Sequence, residues 1–371
     1  MMNYQLLART VIIDSLQVES GQHVFIDIAG EAHELVEALI HEIYEAGAFP
    51  YYRNCPEREH KAIIEQCSMV QLDRWASTEL ARLQEVDAYI GIRSESNSFE
   101  LNDIAPEKMQ LYYEHFVVPF QESVSKIPKW IVLRAPTPSM AQHAEMSSDG
   151  LYQLFMEACC MNYKQWALSV EPLVQLMTYT KEVRIVAPET DLTFRLIRTA
   201  PYVCDGQFNL PDGEVFTAPV IDSTEGTISF NVPTSIAGLK FQKVKMTFQN
   251  GKVVDIQCSN RDELIQLLDG NSGGRYIGEF GIGLNPYIQK PMGNILFDEK
   301  MFGSIHLALG QSYPMAYNGN ESNIHLDFVL CLSEKYGGGE LYFDGKLINR
   351  NGVFVCPELI SLNDLRSLNA T

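Results

Sequence analysis

The chain has 371 residues, 46 % of them hydrophobic, and a formal net charge of -19 at pH 7. Its length exceeds one typical core, so about two domains are expected, and so acidic a chain is unsuited to nucleic acid, whose recognition relies on clustered Lys and Arg. No apolar run approaches the ~18 residues of a membrane span, Met1-Met2-Asn3-Tyr4-Gln5 lacks a basic segment followed by an apolar one, and the eight cysteines are dispersed without a C-x-x-C pair, so a cytoplasmic protein with reduced thiols and no membrane partner is expected.

From the amino terminus, His23-Val24-Phe25-Ile26-Asp27-Ile28 reads as a strand. A helix follows between Gly30 and Gly47, with Leu35, Val36, Leu39, Ile40, Ile43 and Tyr44 on one face. Strand-like runs at residues 86–92 and 130–133 flank helical text at 107–125. This alternation predicts βαβ units and a mostly parallel sheet. The turn Ile28-Ala29-Gly30-Glu31-Ala32 lacks G-x-G-x-x-G or a P-loop lysine, so no nucleotide cofactor is expected. Residues 148–179 predict one long helix that turns Leu151, Leu154, Phe155, Ala158 and Met161 to a core. After Lys181 the pattern becomes β. Residues 227–232, 305–309, 324–330 and 341–343 are strand-like, and 244–248 pairs with 252–256 as a hairpin across Asn250-Gly251, the dipeptide suited to a type I′ turn. The expected fold class is therefore α/β and α+β: an α/β support domain at residues 1–180 with a mostly parallel sheet, then a β-rich domain at 181–371.

Six of the eight histidines precede residue 150, and the other two lie in the β-rich half beside oxygen donors. In Asn323-Ile324-His325-Leu326-Asp327-Phe328-Val329, strand periodicity sends His325 and Asp327 from one face and Ile324, Leu326 and Phe328 from the other. His306 sits similarly in Ser304-Ile305-His306-Leu307-Ala308. Imidazoles and carboxylates on strand faces point to a divalent metal site. Each signal also has an ordinary reading. A lone strand histidine is more often a hydrogen-bonded core residue, Glu214 in Pro211-Asp212-Gly213-Glu214 a solvated turn residue, and Glu279 the flank of a glycine-rich turn. By spacing alone, Asp298-Glu299-Lys300 reads as a solvated turn.

The surrounding text carries more. Leu210-Pro211-Asp212-Gly213-Glu214-Val215-Phe216-Thr217-Ala218-Pro219, Gly278-Glu279-Phe280-Gly281-Ile282-Gly283-Leu284-Asn285-Pro286, Gly293-Asn294-Ile295-Leu296-Phe297-Asp298-Glu299-Lys300, Ile305-His306-Leu307-Ala308-Leu309-Gly310 and His325-Leu326-Asp327 resemble, in order, segments of the thermophilic aminopeptidase T, aminopeptidase S and PepS family of metallopeptidases. Residues 130–142 and 181–194 continue the resemblance, which spans nearly the whole chain. Two departures are a leucine at 326, where an aromatic residue is more usual, and a slightly shorter chain. The resemblance implies a metalloaminopeptidase whose metal ligands are Glu214, Glu279, His306, His325 and Asp327, all in the β-rich domain. It also places Tyr313 in the site, as a ligand or an oxyanion donor. Two divalent ions (zinc, cobalt, manganese or magnesium) would activate water for attack on the N-terminal peptide bond of small peptides, with Glu214 or Glu279 as general base. Lys300 would orient a group or contact substrate, and family members are homodimers. The alternatives are a non-catalytic metal- or ligand-binding relative and another two-metal hydrolase, such as a phosphoesterase. An anionic substrate would favour basic residues, of which Lys290 and Lys300 are the few at hand.

Overall fold

The computed structural model describes residues 4–236 and 238–367, so Met1, Met2 and Asn3 of the amino-terminal segment read above lie outside them. The chain divides into two units, Met1–Cys160 with Gly206–Leu210, and Met161–Asp205 with Pro211–Thr371.

The first unit is built on strands β1 (His23–Gly30), β2 (Phe49–Cys55), β3 (Ala88–Ser94) and β4 (Lys129–Arg134), in the order β2-β1-β3-β4 and all parallel. The short strand Asn209–Leu210 extends this sheet beside β4, also in parallel. Strands β1 and β3 are buried along almost their whole length, as expected where helices cover a parallel sheet. The helix His33–Glu45 buries Leu35, Val36, Leu39 and Ile43, but Tyr44, expected on the same face, is 61 % exposed. The text at 107–125 is helical from residue 106 to 124. β2 escaped the sequence reading because it is an edge strand carrying a proline and polar residues, which such a position tolerates.

The expected long helix at 148–179 is two helices, Ser148–Cys159 and Tyr163–Tyr179. Asn162 breaks it: its side chain accepts the Gln165 amide at 3.0 Å and caps the second helix instead of continuing the first.

In the second unit the strands are β5 (Glu182–Ala187), β6 (Thr190–Arg195), β7 (Tyr202–Cys204), then, with Asn209–Leu210 of the first unit counted as β8, β9 (Glu214–Thr217), β10 (Glu225–Ser229), β11 (Thr234–Ile236), β12 (Leu239–Phe241), β13 (Lys245–Gln249) and β14 (Lys252–Gln257). They continue with β15 (Ile277–Gly283), β16 (Ser304–Gly310), β17 (His325–Cys331), β18 (Glu340–Phe343), β19 (Lys346–Arg350) and β20 (Val353–Phe354). An antiparallel sheet runs β14-β13-β10-β6-β5-β18-β19-β20, a second runs β17-β16-β15-β9-β7, and β11-β12 form a small ribbon. Asn250 and Gly251 both adopt positive φ, 48° and 77°, as the type I′ turn between β13 and β14 requires. The two large sheets share apolar contacts: Phe280 packs edge-on to Phe194 at 5.1 Å and Phe328 lies 5.5 Å from Phe230. Among the described residues no helix is long and apolar enough to cross a membrane.

Candidate metal centre

The register of the β17-β16-β15-β9-β7 sheet assembles the site. Ala308 stands opposite Glu279 on one side and Asp327 on the other, Gly281 opposite His306, Gly283 opposite Glu214, and Gly310 opposite His325. Paired residues leave the same face of a sheet and the faces alternate along each strand. Glu214, Glu279, His306, His325 and Asp327 therefore share one face. Val215, Phe280, Ile282, Leu307, Leu326 and Phe328 leave the other and are buried.

Two glycines make room. A Cβ on Gly281 would lie 2.1 Å from the imidazole of His306, and one on Gly283 would lie 2.3 Å from the carbonyl oxygen of Met301. The ring of His306 thus lies against the strand where Gly281 offers no side chain, and the segment Glu299-Lys300-Met301 crosses close over Gly283. The pattern Gly278-Glu279-Phe280-Gly281-Ile282-Gly283 alternates a ligand with gaps for its neighbours.

His306 Nε2 is 3.0 Å from Glu279 Oε1 and 3.3 Å from Glu214 Oε2. His325 Nε2 is 3.8 Å from Glu279 Oε2 and 3.5 Å from Asp327 Oδ1. These contacts form two groups of potential ligand atoms, Glu214 with Glu279 and His306, and Glu279 with His325 and Asp327, each gathered within 4.8 Å. Glu279 belongs to both and offers one oxygen to each. His325 Nδ1 lies 2.8 Å from the carbonyl of Gln311. A carbonyl only accepts, so Nδ1 carries a proton, and Nε2 faces the carboxylates, where it offers a lone pair to a metal once its own proton has left.

Burial sharpens the electrostatics. Glu214, Glu279 and His306 are at most 6 % exposed, and Glu214 Oε2, Glu279 Oε2 and His306 Nδ1 are buried without a hydrogen-bond partner. Burial raises the Glu279 carboxyl, against the hydrogen bond from His306. Burial alone would lower the His306 imidazole, but Glu214 and Glu279 hold it at about 9. His325 is likewise held at about 10, against burial, chiefly by Asp327. Asp327 sits at about 2 because His325 outweighs the upward push of burial. Tyr313 lies with its ring 4.6 Å from that of His325; crowding around its hydroxyl, then Glu279 and Asp327, keep the phenol protonated.

The sequence reading placed Asp298-Glu299-Lys300 in a solvated turn, and the structure corrects it. Asp298 and Lys300 are each 1 % exposed. The Asp298 carboxylate accepts the backbone amides of Met292 at 2.5 Å and Asn294 at 3.1 Å, fixing the turn. Lys300 Nζ lies 3.5 Å from Glu214 Oε1 and also contacts Glu299. Burial pushes the Glu299 carboxyl up to about 8, countered by Lys300 and reinforced by Glu214 and Asp327. The overlooked signal was the run Ile295-Leu296-Phe297 beginning just after a capping asparagine, which marks an anchored helical turn. A third group, Cys204 with Asp212 and Glu214, adjoins the first.

This donor set fits divalent cations. Carboxylate oxygens outnumber the nearby cationic groups, the imidazoles offer nitrogen lone pairs once they give up a proton, and several buried polar atoms lack partners.

Comparison with known proteins agrees. Residues 2–354 match the family model described as thermophilic metalloprotease (M29). The chain belongs to the M29 metalloprotease family. It is 25 % identical to aminopeptidase PepS of Streptococcus thermophilus, over 95 % of this chain and 98 % of that protein. It is 24 % identical to aminopeptidase T of Thermus aquaticus, over 93 % and 95 %. The fold is that of the Thermus thermophilus AmpT structure, with a TM-score of 0.81 at 22 % identity over 95 % of this chain and 99 % of that one. A 2,5-dihydroxypyridine dioxygenase from Pseudomonas putida also shares it, with a TM-score of 0.60 at 15 % identity over 96 % and 98 %. The fold alone thus does not set the chemistry, which must be argued from the site. Membership of a metalloprotease family favours the catalytic reading over the non-catalytic alternative.

Proposed function

We propose that this metalloaminopeptidase removes the N-terminal residue of small peptides with two divalent ions, one of which would be held by Glu214, Glu279 and His306 and the other by Glu279, His325 and Asp327. The observation that carries this reading is the sharing of Glu279 between two ligand groups, as a bridging carboxylate requires. Such ions, when bound, polarise the scissile carbonyl, lower the pKa of water and give the substrate's free amine an anchor.

The chain's own residues supply the rest. His325 is oriented by its Nδ1 contact with Gln311, so its lone pair is directed without any rearrangement on binding. The proton lost by the attacking water would pass to Glu214, which faces the His306 nitrogen and, unlike Glu279, is not shared between the two groups. Tyr313, kept protonated, donates to the oxygen that becomes negative as the carbonyl turns tetrahedral.

The test is a panel of aminoacyl amides and dipeptides, each with a free or an acetylated amine, assayed with and without chelator. The proposal requires turnover of the free forms, none of the acetylated ones, and loss of activity on chelation that is restored by zinc, cobalt or manganese. Equal turnover of free and acetylated substrates defeats it.

A further inference from the structure

We infer that Lys300 is a built-in cation that occupies the place a third metal ion would otherwise take, and so limits the centre to two. This rests on the two-ion reading above. Three features of the geometry support it. Cys204, Asp212 and Glu214 bring ligand atoms within 4.8 Å of one another, which is metal-binding spacing. Lys300 Nζ lies 3.5 Å from Glu214 Oε1 and contacts Glu299, so the ammonium adjoins that group through a shared carboxylate. It is also held there: Lys300 is 1 % exposed, its carbonyl accepts the Asn285 amide at 2.9 Å, and the bare Gly283 admits its backbone.

Charge supports the same conclusion. The carboxylates that act on Lys300 or on one another here are Asp212, Glu214, Glu279, Glu299 and Asp327. Asp298 is turned to backbone amides instead. Five carboxylates are neutralised by two dications and one ammonium, with the imidazoles neutral. Without the ammonium the centre keeps one uncompensated negative charge beside a thiol, and burial makes such a charge costly. A soft divalent ion would relieve it by taking Cys204 as thiolate, the thiol proton leaving to solvent. Lys300 is thus a positioning residue. It holds Glu214 from the side away from His306 and leaves Cys204 an unligated thiol.

The decisive probe is cadmium, whose bond to thiolate gives an ultraviolet charge-transfer band that oxygen and nitrogen ligands do not. Metal-stripped protein is titrated with cadmium, and stoichiometry, the band and melting temperature are recorded for wild type, Lys300→Met, Lys300→Arg and Lys300→Met with Cys204→Ser. The wild type and Lys300→Arg are expected to bind two ions with no band. Lys300→Met is expected to gain a third ion and the band, and both are expected to vanish in the double variant. A band in wild type or Lys300→Arg overturns the inference, as does a folded Lys300→Met protein without one. If Lys300→Met does not fold, Lys300→Gln, which also removes the charge but keeps a polar end, takes its place under the same criteria. A wild type that binds fewer than two ions defeats the two-ion reading instead, and does so independently of the band.

Discussion

In the first unit, buried charge is matched within the protein. Arg53 lies 2.8 Å from Asp27 and 2.9 Å from Glu79, the Tyr89 hydroxyl donates to Asp27 at 2.7 Å, and the guanidinium sits 4.8 Å from the centre of the Phe120 ring. In the second unit, four carboxylates, those of Glu214, Glu279, Glu299 and Asp327, face two imidazoles and one lysine. Both arrangements bury ionisable groups, but only the first is closed by its own side chains. A buried acidic cluster without enough internal cation is stable only if it takes protons or metal from outside, so the imbalance distinguishes a working site from a structural network.

The contrast gives graded expectations. The largest effects belong to the ligands. His325→Ala and Asp327→Asn should reduce turnover by more than the roughly 10- to 100-fold typical of an outer-shell partner, with loss of bound metal. Leu326→Ala, on the opposite face and 8 % exposed, should instead cost about 2 to 5 kcal/mol of stability with metal retained. Metal analysis, turnover and melting temperature of the three variants check this.

Gly281→Ala comes next. Its Cβ would fall 2.1 Å from the His306 ring, so the imidazole must shift. A misplaced ligand should lower activity and metal affinity tenfold or more, an estimate on the order of that for small misplacements at catalytic sites. Isothermal titration with zinc measures it, and an unchanged affinity would show that the ring has room.

In the first unit, Arg53→Met should leave Asp27 to Tyr89 and Arg93 and Glu79 to Arg82, each arginine 3.9 Å away, and cost about 3 kcal/mol, with no change in metal stoichiometry. Denaturant unfolding followed with and without chelator distinguishes this from an effect at the metal centre.

The smallest effect is a pH dependence. With His306 held at about 9 and His325 at about 10 in the metal-free protein, both are protonated at neutral pH, but a ligating imidazole must be neutral. Metal binding should therefore release protons, and affinity should rise with pH until about 9 to 10. Stability of the metal-free protein should run the other way. Raised folded-state values stabilise below the unfolded histidine value of about 6.5, and the benefit is lost as pH rises through 9 to 10. Calorimetry in two buffers of different ionisation enthalpy counts the protons, and no release would show that the imidazoles are already neutral.

How much of this was legible follows from the range of each signal. The His325-Leu326-Asp327 pattern needs only strand alternation, and Asn250-Gly251 only local turn geometry, so both could be read directly. The parallel sheet was legible because β1, β3 and β4 are apolar runs, whereas the polar edge strand β2 carried no such mark. The double role of Glu279 could not be read from spacing. It depends on a register that places Glu279 and Asp327 on either side of Ala308, with an irregularity between Ile277 and Glu279. Spacing alone misplaced Lys300 for a related reason, although the family resemblance kept it in the site: three consecutive charges resemble a solvated turn unless the glycine at 283 is known to admit the segment.

The central claim is that Glu279 serves two ions at once, and metal stoichiometry tests it most directly. Stripped protein equilibrated with zinc and analysed for bound metal should hold two ions per chain. Asp327→Asn should hold one, and Glu279→Gln, which weakens both groups together, fewer than one. A wild type that saturates with a single ion, or a Glu279→Gln variant that still holds two, would contradict the account.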